Sequence, residues 1–204
     1  MSIKAITFDL WGTILHNKTL LIHKKLTNYI CDELGQSYFD RMYVTNITKE
    51  QFLNDFKNFA GYSKMRKAKR MLEDQSTNFK VYSDIKSVLD LKDKYKLGII
   101  SNASFRTNEI LKNLNATKIF DQIIISYKVG IIKPNKKIFE YASKKLGCEL
   151  NEMLHIGNDY NADFLGAKNA GCNALLLDRN RKYKDIKERI RSFKYLDNYL
   201  ERLI

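Results

Sequence analysis

The sequence predicts an α/β fold: a mostly parallel sheet covered by helices on both faces, with a small all-helical segment inserted after the first strand. Three observations predict it. An apolar, partly β-branched run near the N-terminus, Ile3, Ala5, Ile6 and Phe8, stops at Asp9, as a buried strand does when it delivers an acid to the edge of a sheet. Residues 16–78 lack the strand pattern and carry apolar residues at helical spacing. From Val81 onward short apolar strands alternate with helices, which is the signature of a parallel sheet buried on both sides.

The elements follow in order. Gly12 and Thr13 come directly after Asp9, so the backbone turns sharply and offers a hydroxyl beside the carboxylate. Leu26, Tyr29, Ile30 and Leu34 recur at helical spacing, as do Phe52, Leu53, Phe56 and Phe59. Thr48 with Gln51 forms a capping-box pattern at the start of that second helix, and a third helix is expected from Tyr62 to Asp74. Ser83 is positioned to cap a helix carrying Ile85, Val88 and Leu89 that ends near Tyr95. A strand over 97–100 ends in Ser101 and Asn102. A short helix (Ile110, Leu111, Leu114), a strand over 122–126 and a helix over 136–146 with Ile138, Tyr141 and Ala142 on one face come next. A strand over 153–156, a helix over 163–170 closed by Gly171, and a last core strand over 174–177 complete the pattern. The division expected is one α/β core from residues 1–15 and 79–204, with 16–78 as a separate helical unit.

With 204 residues, 44% of them hydrophobic, the chain is long enough for one domain with a proper core and an insertion. No apolar run approaches the ~18 residues of a membrane span, and the N-terminus has neither a basic lead nor a hydrophobic region of signal-peptide type. Cys31, Cys148 and Cys172 are odd in number and share no ligand spacing, so they read as thiols in a reducing, cytoplasmic setting. The formal net charge of +13 concentrates in KMRKAKR (64–70) and RNRKYKDIKERIR (179–191). Acids interleave with the second run, which favours a solvated surface over a binding one. The charge alone is compatible with a nucleic-acid partner, but no nucleic-acid motif accompanies it.

The candidate site residues share one property: each lies at or just beyond a strand end. Asp9 follows the first strand, Ser101 the second, Lys133 sits in the loop after the third, and Asn158, Asp159 and Asp163 follow the fourth. A parallel sheet brings those ends to one side, where ligands of open α/β sheets bind. Lys133 precedes Pro134, the only proline, which pushes the lysine backbone toward an extended conformation.

The order and spacing of FDLWGT (8–13), IISNAS (99–104), VGIIKPNKKIF (129–139) and HIGNDYNADFLGAKNAG (155–171) resemble the haloacid dehalogenase-like hydrolase superfamily over nearly the whole chain. The resemblance implies a Rossmann-like core and, in one branch, a helical cap where 16–78 lies. It implies that Asp9 is a nucleophile forming a covalent aspartyl intermediate. Thr13, Ser101 and Asn102 match groups that orient it and bind phosphoryl oxygens, and Lys133 matches the cation that neutralises both. Mg²⁺ is implied as cofactor, held by Asp9, the Trp11 carbonyl, Asp163 and either Asn158 or Asp159. The expected substrate is a small phosphorylated, hence anionic, metabolite.

Trp11 departs from the phosphatase pattern, which carries a proton-donating aspartate there. Its loss points to substrates whose leaving groups need no proton, namely acyl and aryl phosphates and anhydrides. Dehalogenases also lack that acid, so metal-independent 2-haloacid dehalogenation is the rival reading, with Arg41 and Tyr43 as residues to contact a carboxylate or halide. Phe139, and the pattern around Asn158 and Tyr160, count against it. A third reading is a binding or regulatory protein whose catalysis has decayed. On local grounds alone Asp163 also suits a helix N-cap, and Arg41 a solvated surface position.

Overall fold

The computed structural model describes residues 2–203. Six strands, β1 (Ala5–Phe8), β2 (Lys96–Ser101), β3 (Gln122–Ile125), β4 (Met153–Gly157), β5 (Asn173–Leu177) and β6 (Arg189–Ile190), form one sheet in the order β3-β2-β1-β4-β5-β6. Every neighbouring pair is parallel. The chain winds from β1 outward through β2 to β3, then returns to the other side of β1 with β4. The gap between β1 and β4 is therefore the switch point where such sheets accept ligands. Register does the rest: Phe8 stands level with Ile99 on one side and Ile156 on the other, so Asp9, one residue on, leaves the sheet level with Ile100 and Gly157.

The strands are near-continuous apolar runs because both faces are covered. Ile6, Phe8, Leu97, Ile99, Leu154, Ile156 and Leu175 point into one core, and Ala5, Ile100, Met153, Ala174 and Leu176 into the other. The helix Lys136–Leu146 covers the second face through Ile138, Phe139 and Ala142. Tyr141, expected beside them, is 38% exposed. Two polar residues, Thr7 and His155, interrupt the apolar run and are nevertheless buried.

After β1 the chain runs through α1 (Asn17–Leu34), α2 (Gln36–Arg41), α3 (Lys49–Ala60) and α4 (Tyr62–Thr77). Leu26, Ile30, Met42, Phe52, Phe56, Ala68 and Leu72 join the first core, and Phe52 packs on Phe105 beyond β2 at 5.3 Å between centroids. Both halves of the Thr48–Gln51 capping box are formed. Phe59, assigned to the buried face by periodicity, is 77% exposed; Phe52 and Phe56, one helical turn apart, carry the burial. The α2 helix had no sequence signal beyond Gly35, which enters it at φ 84°.

Other expectations shift locally. Ser83 opens a 3₁₀ turn (Ser83–Ile85) that runs into a short helix (Lys86–Leu89), and its side chain caps nothing. The buried leucine there is Leu91, while Leu89 is 40% exposed. Several residues of the basic runs are paired or stacked. Lys64 meets Glu33 at 2.6 Å and Lys67 lies over Tyr29, while Arg179 makes a two-pronged bond to Asp84 at 2.8 and 3.1 Å. Among the described residues no helix is long and apolar enough to cross a membrane, and all three cysteines are free thiols.

Candidate active site

The site starts from Asp9, 7% exposed at the end of β1. Its backbone N–H still donates to the Ile156 carbonyl at 2.9 Å, so the sheet fixes its position, and the chain turns immediately after it. Gly12 makes that turn at φ 81°, a conformation that favours glycine. A side chain at Gly12 would come within 3.0 Å of the Asn158 amide. The Ser101 hydroxyl, from the end of β2, donates to Asp9 Oδ1 at 3.2 Å.

Lys133 is the centre of the arrangement. Its ammonium is 1% exposed and donates to Asp9 Oδ1 (2.9 Å), Asp163 Oδ1 (2.6 Å) and the Ile100 carbonyl (2.6 Å), so all three of its protons have acceptors. The Lys133–Pro134 peptide is cis. The Asn102 side chain brackets this lysine's backbone, donating to its carbonyl at 2.9 Å and accepting from its N–H at 2.7 Å.

Asp163 reaches the lysine from a wide π-type turn, Tyr160–Leu165. Its Oδ2 accepts from the Asp159 N–H at 2.9 Å, and its Oδ1 faces His155 Nε2 at 3.4 Å. Thr7 lies 2.9 Å from the other ring nitrogen of that histidine. The consistent proton assignment has Thr7 donating to Nδ1 and Nε2–H donating to the carboxylate. Gly157 permits the approach, because a Cβ there would overlap Asp163 Oδ2 at 2.1 Å.

Electrostatics separates the two acids. Burial pushes the Asp9 carboxyl up to about 6, with Lys133 opposing the rise and Asp163 adding to it. At Asp163 burial acts in the same direction, but Lys133 and His155 outweigh it and hold this carboxyl well below the usual range. Burial alone would lower Lys133, and the two carboxylates raise it instead. One buried ammonium thus serves an always-ionised acid and an acid that titrates near neutrality.

The structure brings Asp9, Ser101, Lys133 and Asp163 together. It gives other predicted residues different contacts. Thr13 donates to Asn158 Oδ1 at 2.9 Å and does not touch Asp9. Asn102 is occupied with the lysine backbone. Asp159 caps the following turn, its Oδ1 accepting from Asn161 and Ala162 N–H at 2.9 and 2.7 Å. It is Asp159, not Asp163, that fills the N-cap position. Arg41 is exposed and its guanidinium lies over Tyr38 at 5.1 Å. Tyr43 approaches His23 at 3.5 Å. Thr7, His155 and Gly157 were not assigned from sequence; a histidine within an otherwise apolar strand was the available signal.

For a metal, the relevant observation is the donor set. Among the described residues no group of three His, Cys, Asp or Glu side chains is arranged to hold one. Ser101 and Lys133 share Asp9 Oδ1, which leaves Oδ2 outside the lysine's grip, whereas both Asp163 oxygens are engaged. The remaining donors are one carboxylate, the Trp11 carbonyl and the neutral Asn158 amide. That set fits Mg²⁺, which takes oxygen ligands, keeps several waters and often rests on one carboxylate plus substrate phosphate.

The haloacid dehalogenase-like hydrolase family profile matches residues 6–177. A glyceraldehyde 3-phosphate phosphatase of Methanothermobacter thermautotrophicus is 42% identical over 94 residues, 45% of this chain and 42% of the relative. A pyrimidine 5'-nucleotidase of Escherichia coli is 33% identical over a segment with the same coverage of each chain. The chain thus spans less than half the length of these two curated relatives. Among solved structures, a HAD phosphatase from Thermococcus onnurineus superposes with TM-score 0.71 at 28% identity, covering 97% of this chain and 98% of that one. A 2-haloacid dehalogenase from Pseudomonas syringae shares the fold at TM-score 0.74 and 19% identity, covering 99% and 100%. A match across most of the sheet, with the four motif ends gathered around one lysine, shows that the chain belongs to the haloacid dehalogenase-like hydrolases.

Proposed function

We propose that the chain is a Mg²⁺-dependent phosphohydrolase acting on a small phosphorylated metabolite through a phosphoryl group carried on Asp9. The observation that carries this reading is the single buried ammonium shared by Asp9 Oδ1 and Asp163 Oδ1. Held at Oδ1 by Lys133 and Ser101, Asp9 presents Oδ2 as nucleophile. Oδ2 bonds to phosphorus, the bond to the leaving oxygen breaks, and that oxygen departs with the electron pair. Water then attacks the aspartyl phosphate and releases inorganic phosphate. Lys133 offsets negative charge on nucleophile and phosphoryl oxygens throughout, and Asp163, His155 and Thr7 fix where its ammonium points. Bound at Asp9, the Trp11 carbonyl and Asn158, Mg²⁺ would add positive charge at the phosphoryl oxygens. Residues 16–78 are read as the cap over a core of 1–15 and 79–204, and the free thiols support a cytoplasmic setting. The phosphatase names of the relatives support the substrate class.

The test is a panel of p-nitrophenyl phosphate, acetyl phosphate and 2-chloropropionate, with Mg²⁺ and with excess EDTA. The expected result is phosphate release from the first two, lost in EDTA, and no halide. Undiminished turnover in EDTA removes the metal from the proposal. Halide release without phosphate release would favour the dehalogenase reading, for which Trp11 is the specific observation.

Trp11 also sets a sharper expectation. No side chain at its position protonates the leaving alkoxide, and such help is typically worth about 10²- to 10⁴-fold. Trp11→Asp should therefore raise turnover of an alkyl phosphate about 10²-fold relative to p-nitrophenyl phosphate. Equal effects on the two substrates, measured as the ratio of kcat values, would contradict the assigned role.

A further inference from the structure

Arg106 is a buried charge without a countercharge. It sits in the 3₁₀ turn Phe105–Thr107 just beyond β2, 4% exposed, and among the described residues no Asp or Glu pairs with it. Its Nε donates to Ser104 Oγ at 3.1 Å, both terminal nitrogens reach Thr27 Oγ1 at 3.4 and 3.3 Å, and one meets His23 Nε2 at 3.1 Å. Phe39 lies against the guanidinium at 5.6 Å. Every hydrogen-bonding partner is neutral, and the measured contacts exceed the ~2.7–2.9 Å of a charge-assisted bond to an anion. Among the described residues the other buried lysine or arginine, Lys133, has two carboxylates.

The residues around Arg106 are less buried than it is. His23, Thr27, Phe39 and Tyr43 are all partly exposed, and Arg106 also lines a cavity with Ile47, Leu72, Phe105, Glu109 and Tyr127. With Nε2 of His23 accepting from Arg106, Nδ1 carries the proton and faces the Gln75 amide at 2.6 Å. A half-turn of that amide turns its oxygen, which is otherwise buried without a partner, to this proton. His23 is thus neutral, and its ring lies against Trp11, tilted by 38° with 4.3 Å between centroids. Trp11 is two residues from Asp9. The unpaired cation therefore lies one side chain beyond the residue that borders the nucleophile.

We propose that Arg106 binds a second anionic group of the substrate, a carboxylate remote from the phosphoryl group, so that the substrate class is a small phosphorylated carboxylic acid. This rests on the phosphohydrolase reading for the position of the phosphoryl group, but its evidence is separate. A planar guanidinium recognises a carboxylate through two parallel bonds, and the neutral acceptors now around it are weak enough to be exchanged. Specificity would come from leaving the arginine unpaired when the carboxylate is missing.

Binding measured by calorimetry tests this without turnover. Phosphonoacetate and 4-phosphonobutyrate are compared with methylphosphonate and butylphosphonate, on the unmodified protein and on Arg106→Gln and Arg106→Lys. The expected result is at least tenfold tighter binding of one carboxylated probe than of its alkyl counterpart. That preference should vanish in Arg106→Gln and be reduced in Arg106→Lys, which keeps the charge but loses the fork. Equal affinities in the unmodified protein, or a preference that survives in Arg106→Gln, overturns the proposal. Arg106→Met adds a readout that a structural role moves the other way. Removing an uncompensated buried charge should leave Tm unchanged or raise it, whereas a lower Tm assigns Arg106 to the fold and overturns the proposal. Carboxylate-selective binding with no hydrolysis of any phosphate would sustain Arg106 as the anion site and remove the phosphohydrolase reading.

Discussion

Lys133→Met is expected to abolish turnover and to destabilise the protein by about 3–5 kcal/mol at pH 8, the range for removing one partner of a buried ion pair. For a chain of this size that is a fall in Tm of roughly 10 °C. The reason is that the ammonium satisfies two carboxylates at once, at 2.9 and 2.6 Å, with 1% exposure. Without it, Asp9 and Asp163 face each other across an apolar side chain, and both folded-state carboxyls are raised. A carboxyl raised on folding stabilises the fold while protonated and loses that contribution as pH rises through its folded value. The deficit of Lys133→Met relative to the unmodified protein should therefore be largest at pH 8 and shrink toward pH 5. Calorimetric unfolding at the two pH values, with chelator present, measures it. A deficit independent of pH would mean that the two acids are not coupled through this lysine. Asn102 adds a control, since it holds the Lys133 backbone and not the ammonium, so local geometry survives the substitution.

How much of this was legible depends on what kind of contact decided each residue. β1 to β5 and the helix Lys136–Leu146 are fixed by apolar composition, and composition is visible in a sequence. Asp9, Ser101, Lys133 and Asp163 were legible too, because strand ends in a parallel sheet converge whatever the side chains do. β6 was not. Two residues, Arg189 and Ile190, inside a highly charged run carry no strand signal, and only the parallel partner β5 makes them a strand. Thr13, Asn102 and Asp159 are short polar side chains whose contacts are set by whichever backbone or amide group lies nearest. Each makes local hydrogen bonds that no spacing rule announces. Arg106 and Arg41 look alike as letters. One is buried without a carboxylate and the other is exposed, its guanidinium over the ring of the buried Tyr38, a difference made by how α1 and α2 pack around Arg106.

Asp9→Asn should have the opposite effect on stability at the same cluster. Turnover should fall by roughly 10⁶-fold, the scale seen when a covalent nucleophile is removed, because an amide oxygen does not form the phosphorylated intermediate. The fold, however, should gain. Burial pushes Asp9 from 3.8 up to about 6 despite the lysine. Each unit of such a shift corresponds to about 1.4 kcal/mol, so ionised Asp9 costs the folded state on the order of 3 kcal/mol above pH 6 and nothing below about pH 4. An asparagine keeps the oxygen that Ser101 and Lys133 contact and never ionises. It should therefore raise stability by about 1–3 kcal/mol at pH 8 and by little at pH 4. Unfolding measured across that range in chelator gives a difference that grows with pH, opposite in sign to the growing deficit of Lys133→Met. A difference that stays flat would show that Asp9 is not held above its ordinary range. If it grows, the carboxylate is retained against the interest of the fold, and the gain that offsets it is chemical. A catalytically decayed descendant would have no reason to keep this destabilising acid. The same pair of substitutions thereby separates an active hydrolase from a binding protein that has only inherited the scaffold.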